Sequence, residues 1–155
     1  MRYSEAMRFA ITLLLASALV ACTDSRLISP DAASERMART LCGNVPGARF
    51  WQRTELYFGL SKPDGSRISD AEYQAFLDRE VTPRFSEGFT VLNGTGQFRG
   101  ANGEIVREPS KVLVLFYALG DAKSAAADEV RAAYRKQFQQ ESVLRVDAPS
   151  CVGFL

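Results

Sequence analysis

The chain contains no histidine. That absence removes Ser-His-Asp and Cys-His catalysis and every histidine-ligated zinc, iron or copper site. Cysteine is scarce as well: Cys22, Cys42 and Cys151 are the only three, and none forms the Cys-x-x-Cys pair of a redox centre. Neither charge sign is in excess, with 19 Lys and Arg against 18 Asp and Glu, so nothing supports a nucleic-acid partner. The carboxylates Glu104, Glu108, Asp121 and Asp128 are scattered without calcium-loop spacing. No metal or cofactor is expected. A long apolar run is missing too, because the most hydrophobic segment, residues 9–20, falls short of the ~20 residues that cross a bilayer.

That segment has another reading. Arg2 and Arg8 precede it, and it ends in Leu19-Val20-Ala21-Cys22. This anatomy resembles a bacterial lipoprotein signal whose lipobox is cut before Cys22. The resemblance implies a diacylglycerol on the Cys22 sulfur and a further acyl chain on its amino group, which together hold a protein on a membrane. Thr23, rather than an aspartate, follows the cysteine and favours the outer membrane, facing the periplasm, over the inner. Met7 is an alternative start that yields the same mature chain. Without residues 1–21, the loss of Arg2, Arg8 and Glu5 leaves 17 basic and 17 acidic side chains, a neutral chain of one-domain size.

With Cys22 lipidated, Cys42 and Cys151 remain, and in an oxidising envelope they are expected to form a disulfide joining the N-terminal approach to the last strand. Two separately buried thiols are the alternative.

Residues 22–41 read as a polar tether, with a turn at Ser29-Pro30-Asp31 and a short helix over 34–41 capped by Ser34. The folded domain is expected over 42–155. Residues 51–60 alternate as a strand with Thr54, Leu56 and Phe58 on one face and Arg53, Glu55 and Tyr57 on the other. A Pro63-Asp64-Gly65 turn follows. Ser69-Asp70-Ala71-Glu72 is a capping box, and Tyr73, Phe76, Leu77, Val81 and Phe85 continue at helical spacing until Pro83 weakens the end. Residues 89–93 form a strand running into Gly94-Thr95-Gly96-Gln97, where the glycines predict a bulge or bend. Asn102-Gly103 signals a hairpin. Residues 111–117, apolar on both faces, read as a central strand. Asp121 caps a second helix whose stripe is Val130, Ala133, Tyr134 and Phe138, and one or two strands split by Pro149 close the chain.

The order predicts an α+β fold: a ferredoxin-like β-α-β-β-α-β sandwich, an antiparallel sheet with two helices on one face. Several segments then resemble one family. Arg53-Thr54-Glu55-Leu56-Tyr57-Phe58-Gly59, Ser69-Asp70-Ala71-Glu72, Thr82-Pro83-Arg84-Phe85, Gly94-Thr95-Gly96-Gln97 and Glu108-Pro109-Ser110-Lys111 are similar, in this order, to the domain of unknown function 3574 family of small bacterial secreted proteins and lipoproteins. The resemblance implies no activity, cofactor or catalytic residue.

The candidate ligand-binding residues are Arg53, Glu55 and Tyr57, because charged side chains on a hydrophobic sheet need partners. Arg53 would hold an anion that Glu55 and Tyr57 orient, and Gly94, Gly96 and Gln97 would rim the same pocket. Against this stands a cross-strand ion-pair network at a solvated or dimeric face. The expected function is a non-enzymatic envelope module binding a small ligand or a protein partner, the partner being a second copy of itself or another envelope protein. The rivals are an enzyme using Glu55 as base beside Arg53 and Tyr57, and a purely structural envelope component.

Overall fold

A computed structural model of the chain describes residues 30–43, 45, 47–99 and 103–154. Cys22 and the signal segment lie outside them. The order is α1 (Pro30–Leu41), β1 (Arg49–Gly59), α2 (Asp70–Phe76), β2 (Thr90–Arg99), β3 (Ile105–Ala118), α3 (Lys123–Phe138) and β4 (Leu144–Val152). The four strands form one antiparallel sheet in the order β2-β3-β1-β4. This is the ferredoxin-like α+β arrangement, with α2 and α3 on one face.

Alternation along β1 builds the core. Thr54, Leu56 and Phe58 are completely buried and face the helices. Phe58 meets Tyr73 and Phe76 of α2 and Tyr134 of α3, with ring centroids 5.9, 6.0 and 4.4 Å away. Phe138 extends the cluster, 4.8 Å from Tyr134. Leu113 and Leu115 of β3 close it from the next strand. Helix α2 starts at the expected capping box: the Ser69 hydroxyl accepts from the Glu72 amide, and Glu72 accepts from the Ser69 amide. Those bonds and the Lys62 ammonium, the largest influence, hold the Glu72 carboxyl down at about 2. Past Phe76 the helix widens into a π turn over Leu77–Val81, where the Thr82 amide reaches back to Leu77 O. The cap of α3 is Ala122, with no side-chain bond of its own, and Asp121, expected as the cap, stands one residue before it with its carboxylate accepting from the Lys123 amide at 3.0 Å.

Three local expectations give way. The first helix already includes Pro30, upstream of Ser34, and proline has no amide to lose in the first turn of a helix. No bulge occurs at Gly94 or Gly96: β2 and β3 pair in unbroken register from Thr90↔Val114 to Arg99↔Ile105. Nor does Pro149 split the last strand, because β4 is a sheet edge, where a missing amide is tolerated. Pro109 sits inside β3 for a related reason. Its carbonyl accepts from Leu60, just past the end of β1, so its nitrogen points to where the neighbouring ladder runs out.

Cys42 and Cys151 are joined by a disulfide, with Cα atoms 5.6 Å apart. Cys151 stands opposite Phe50 in the β1–β4 register, and buried Cys42 packs with Phe50 and Ala48 in a small cluster apart from the main core.

Candidate functional site

The face of the sheet turned away from α2 and α3 carries Arg53, Glu55 and Tyr57 in its middle. Register fixes their neighbours: Arg53 lies between Phe116 and Ala148, Glu55 between Val114 and Val146, and Tyr57 between Val112 and Leu144. The structure brings the three together as a chain of contacts. The Tyr57 hydroxyl donates to one Glu55 oxygen and the Arg53 guanidinium pairs with the other. The hydrogen bond to Glu55 raises the Tyr57 pKa above its ordinary value, with burial and the Glu55 charge adding to it and Arg53 opposing. The Glu55 side chain is only 15% exposed, against 45% for Arg53. Both carboxylate oxygens are therefore engaged within the chain itself.

Around this polar row the face is apolar. Leu92, Phe98, Val106, Phe116, Leu144 and Val146 all point from it and are exposed to between 37% and 58%. Two cavities lie elsewhere on the molecule, and neither is lined by Arg53, Glu55 or Tyr57.

Gly94, Gly96 and Gln97 do not rim a pocket with the triad. Gly94 pairs with Ser110, which in turn stands opposite Gly59, so it lies two strands across from β1 and one same-face step beyond Tyr57, at the far end of the row from Arg53. Gly96 lies two residues further out, opposite Glu108. Gln97 has the other parity, so it projects from the opposite face, where its amide oxygen accepts from Arg107. What the two glycines provide is room. A Cβ on Gly94 would come within 3.0 Å of the Ser110 hydroxyl, and one on Gly96 would touch Glu108.

A second polar network escaped the sequence reading. Between β4 and α3, the Thr54 hydroxyl donates to Asp147 and accepts from Tyr117. Arg145 pairs with Asp147 at 2.9 Å and Asp128 at 3.0 Å, and donates to the Ser124 carbonyl and hydroxyl. Burial works to raise the Asp147 pKa, but the Thr54 hydrogen bond and Arg145 outweigh it and leave the carboxyl below its ordinary value. Asp128 is lowered too, chiefly by Arg131. Pairwise charge at i and i+2 on a closing strand was the available signal, Arg145 and Asp147 lying on one face of it. This network is sealed by its own partners and joins elements. Among the described residues no group of three or more metal-ligating side chains converges, and no helix is long and apolar enough to cross a membrane.

A family model described as "Protein of unknown function (DUF3574)" matches residues 53–154. No curated protein matches the chain. Among solved structures, the chain is similar to a phage SAM lyase in complex with S-methyl-5'-thioadenosine, at 14% identity and a TM-score of 0.52, covering 70% of this chain and 91% of that one. The same kind of phage enzyme in its apo state gives 14% identity and 0.50, covering 68% and 90%. CutA from Synechococcus elongatus gives 10% identity and 0.44, covering 66% and 78%. At these identities the likeness is one of fold.

Proposed function

The chain belongs to the DUF3574 family, and from that premise we propose that it is a non-enzymatic binding module of the bacterial envelope, which works through its open sheet face by pairing with a second copy of itself. The observation that carries this reading is the closed Arg53–Glu55–Tyr57 network inside an exposed apolar face. A charge already paired and hydrogen-bonded is covered at far smaller cost than a lone one, so the polar row does not forbid burial of the apolar rows beside it. The same engagement weighs against Glu55 as a catalytic base, since each oxygen already has a partner within the chain and the side chain is largely covered.

The area fits a dimer. Four strands ~4.8 Å apart, each offering about eight residues at ~3.3 Å, present a footprint of roughly 500 Å² in projection. The accessible surface of such a side-chain-studded face is of the order of the ~800 Å² per partner of a stable interface. Two such faces pack with strands about 30° apart, and a two-fold axis through the triad sets the same patch on both copies.

Delivery to the envelope and lipid on Cys22, with the outer membrane facing the periplasm as the destination, belong to the same proposal. The Cys42–Cys151 disulfide supports an oxidising compartment. Sedimentation of the purified protein at tens of micromolar is expected to give the dimer mass, and Val146→Lys, which sets an unpaired charge in the interface, is expected to give monomer with unchanged circular dichroism. A wild-type monomer at that concentration would end the self-pairing reading. Mass spectrometry of the membrane-recovered N-terminal peptide checks the anchor, the expected result being an acylated Cys22.

A further inference from the structure

At one end of the sheet, where β2 and β3 pass the loop between β1 and α2, lies a cavity of about 400 Å³ lined by Leu60, Arg67, Ile68, Asp70, Asn93, Gly94, Pro109, Ser110 and Lys111 among others. It is separate from the open-face triad, and two cations reach it with unequal commitments. Arg67 is exposed and makes no ion pair among the described residues. Lys111 is held inward, its side chain 14% exposed. Its ammonium donates to Asn93 Oδ1 and to Asp70 Oδ1, each at 2.7 Å, and sits 5.8 Å from the centroid of the Tyr73 ring.

The partners of Lys111 differ in how firmly they hold it. Asn93 is fixed by the β2–β3 ladder and Tyr73 is buried in the core. Asp70 is 88% exposed, so its carboxylate gains little from the pair and exchanges readily with solvent. It occupies the place an external carboxylate would take. Leu60, Ile68 and Pro109 supply an apolar wall.

We propose that this cavity binds a small aliphatic carboxylate, whose head group displaces Asp70 from Lys111 and meets Arg67 while its short apolar body lies on Leu60, Ile68 and Pro109. A singly charged head matches the site: Lys111 and Arg67 less the Asp70 charge leave one positive charge to satisfy. A phosphate dianion fits worse, because displaced Asp70 stays close by and Glu108, whose carboxylate accepts from the Ser61 amide, adjoins Pro109. Arg and Lys together give both a forked and a point-charge contact to a carboxylate.

The test is titration of the full chain, in detergent if lipidated, with butyrate and separately with inorganic phosphate, followed by amide chemical shifts. Butyrate is expected to shift Arg67, Asn93, Gly94 and Ser110 in a saturable way, and phosphate at the same ionic strength to shift them at least tenfold more weakly. Arg67→Ala and Lys111→Met are expected to weaken butyrate at least tenfold. Asp70→Asn removes the internal competitor while keeping the side-chain shape, and is expected to tighten butyrate severalfold. Should Lys111→Met fail to fold, Arg67→Ala and Asp70→Asn carry the test. Absence of saturable butyrate shifts at these residues, equal or tighter phosphate binding, or weaker butyrate binding by Asp70→Asn would overturn the assignment.

Discussion

Tyr73 and Tyr134 lie 6.3 Å apart in the same aromatic cluster, both buried and both with hydroxyl pKa values pushed up by that burial. They differ in one hydrogen bond. The Tyr134 hydroxyl donates to the Gly59 carbonyl at 2.8 Å, tying α3 to the end of β1, whereas the Tyr73 hydroxyl is buried without a partner among the described residues. A made hydrogen bond contributes roughly 1 kcal/mol net, while an unmade buried one costs about 1–3 kcal/mol. The two Tyr→Phe changes therefore have opposite signs. Tyr134→Phe is expected to lower unfolding stability by about 1 kcal/mol, and Tyr73→Phe to leave it unchanged or raise it by up to about 1 kcal/mol, read as shifts of the urea midpoint. Equal losses from both would show that Tyr73 has a partner in solution. Helical spacing put both rings on apolar stripes, but periodicity speaks of which face a residue occupies. It says nothing of where a hydroxyl ends.

Elements were legible where one physical rule dominated. The Ser69–Glu72 box and the alternation of β1 each depend on residues close in sequence, and both appear in the structure as read. Pro149 and Gly94 are not legible locally because their consequences depend on neighbours far along the chain: an edge position for one, an unbroken partner strand for the other. Strand β4 was hardest, since its helix-facing side is charged rather than apolar. Arg145 does there what a large apolar residue does elsewhere, bridging Asp147 on its own strand to Asp128 and Ser124 of α3. Arg145→Met leaves Asp147 without its cation, while Asp128 keeps Arg131, and is expected to cost about 1.5–3 kcal/mol. The network is also acid-sensitive. Asp128 and Asp147 have pKa values below their ordinary 3.8, so their contribution is complete above that value and is lost as pH falls through the lowered ones. In Arg145→Met this part of the acid dependence of stability is expected to shrink. A urea midpoint falling equally steeply below pH 4 in both proteins would refute the assignment.

At the scale of the whole molecule, the triad was legible as a set because three alternate residues on one strand must share a face; its separation from Gly94 and Gln97 was not, since only register across two ladders decides it. The disulfide is the other long-range feature, spanning a sequence separation of 109 residues between the end of α1 and the last strand. It pins a small cluster of Cys42, Phe50 and Ala48 that has too little apolar area to hold by itself. The main aromatic core lies further along β1, built from Leu56 and Phe58, and does not depend on it. Closing so long a loop is worth up to ~4.7 kcal/mol through the unfolded chain, and about 2–4 kcal/mol is the usual outcome. Cys42→Ser with Cys151→Ser is accordingly expected to lower stability by about 2–4 kcal/mol while the helical and sheet dichroism persists. Trp51, the single tryptophan, reports the local part. It sits next to Phe50 with its ring 6.1 Å from Phe154, so its fluorescence is expected to change before the urea transition in the serine variant and together with it in the wild type. Coincident transitions at an unchanged midpoint in both proteins would mean that the staple adds nothing that the sheet does not already supply.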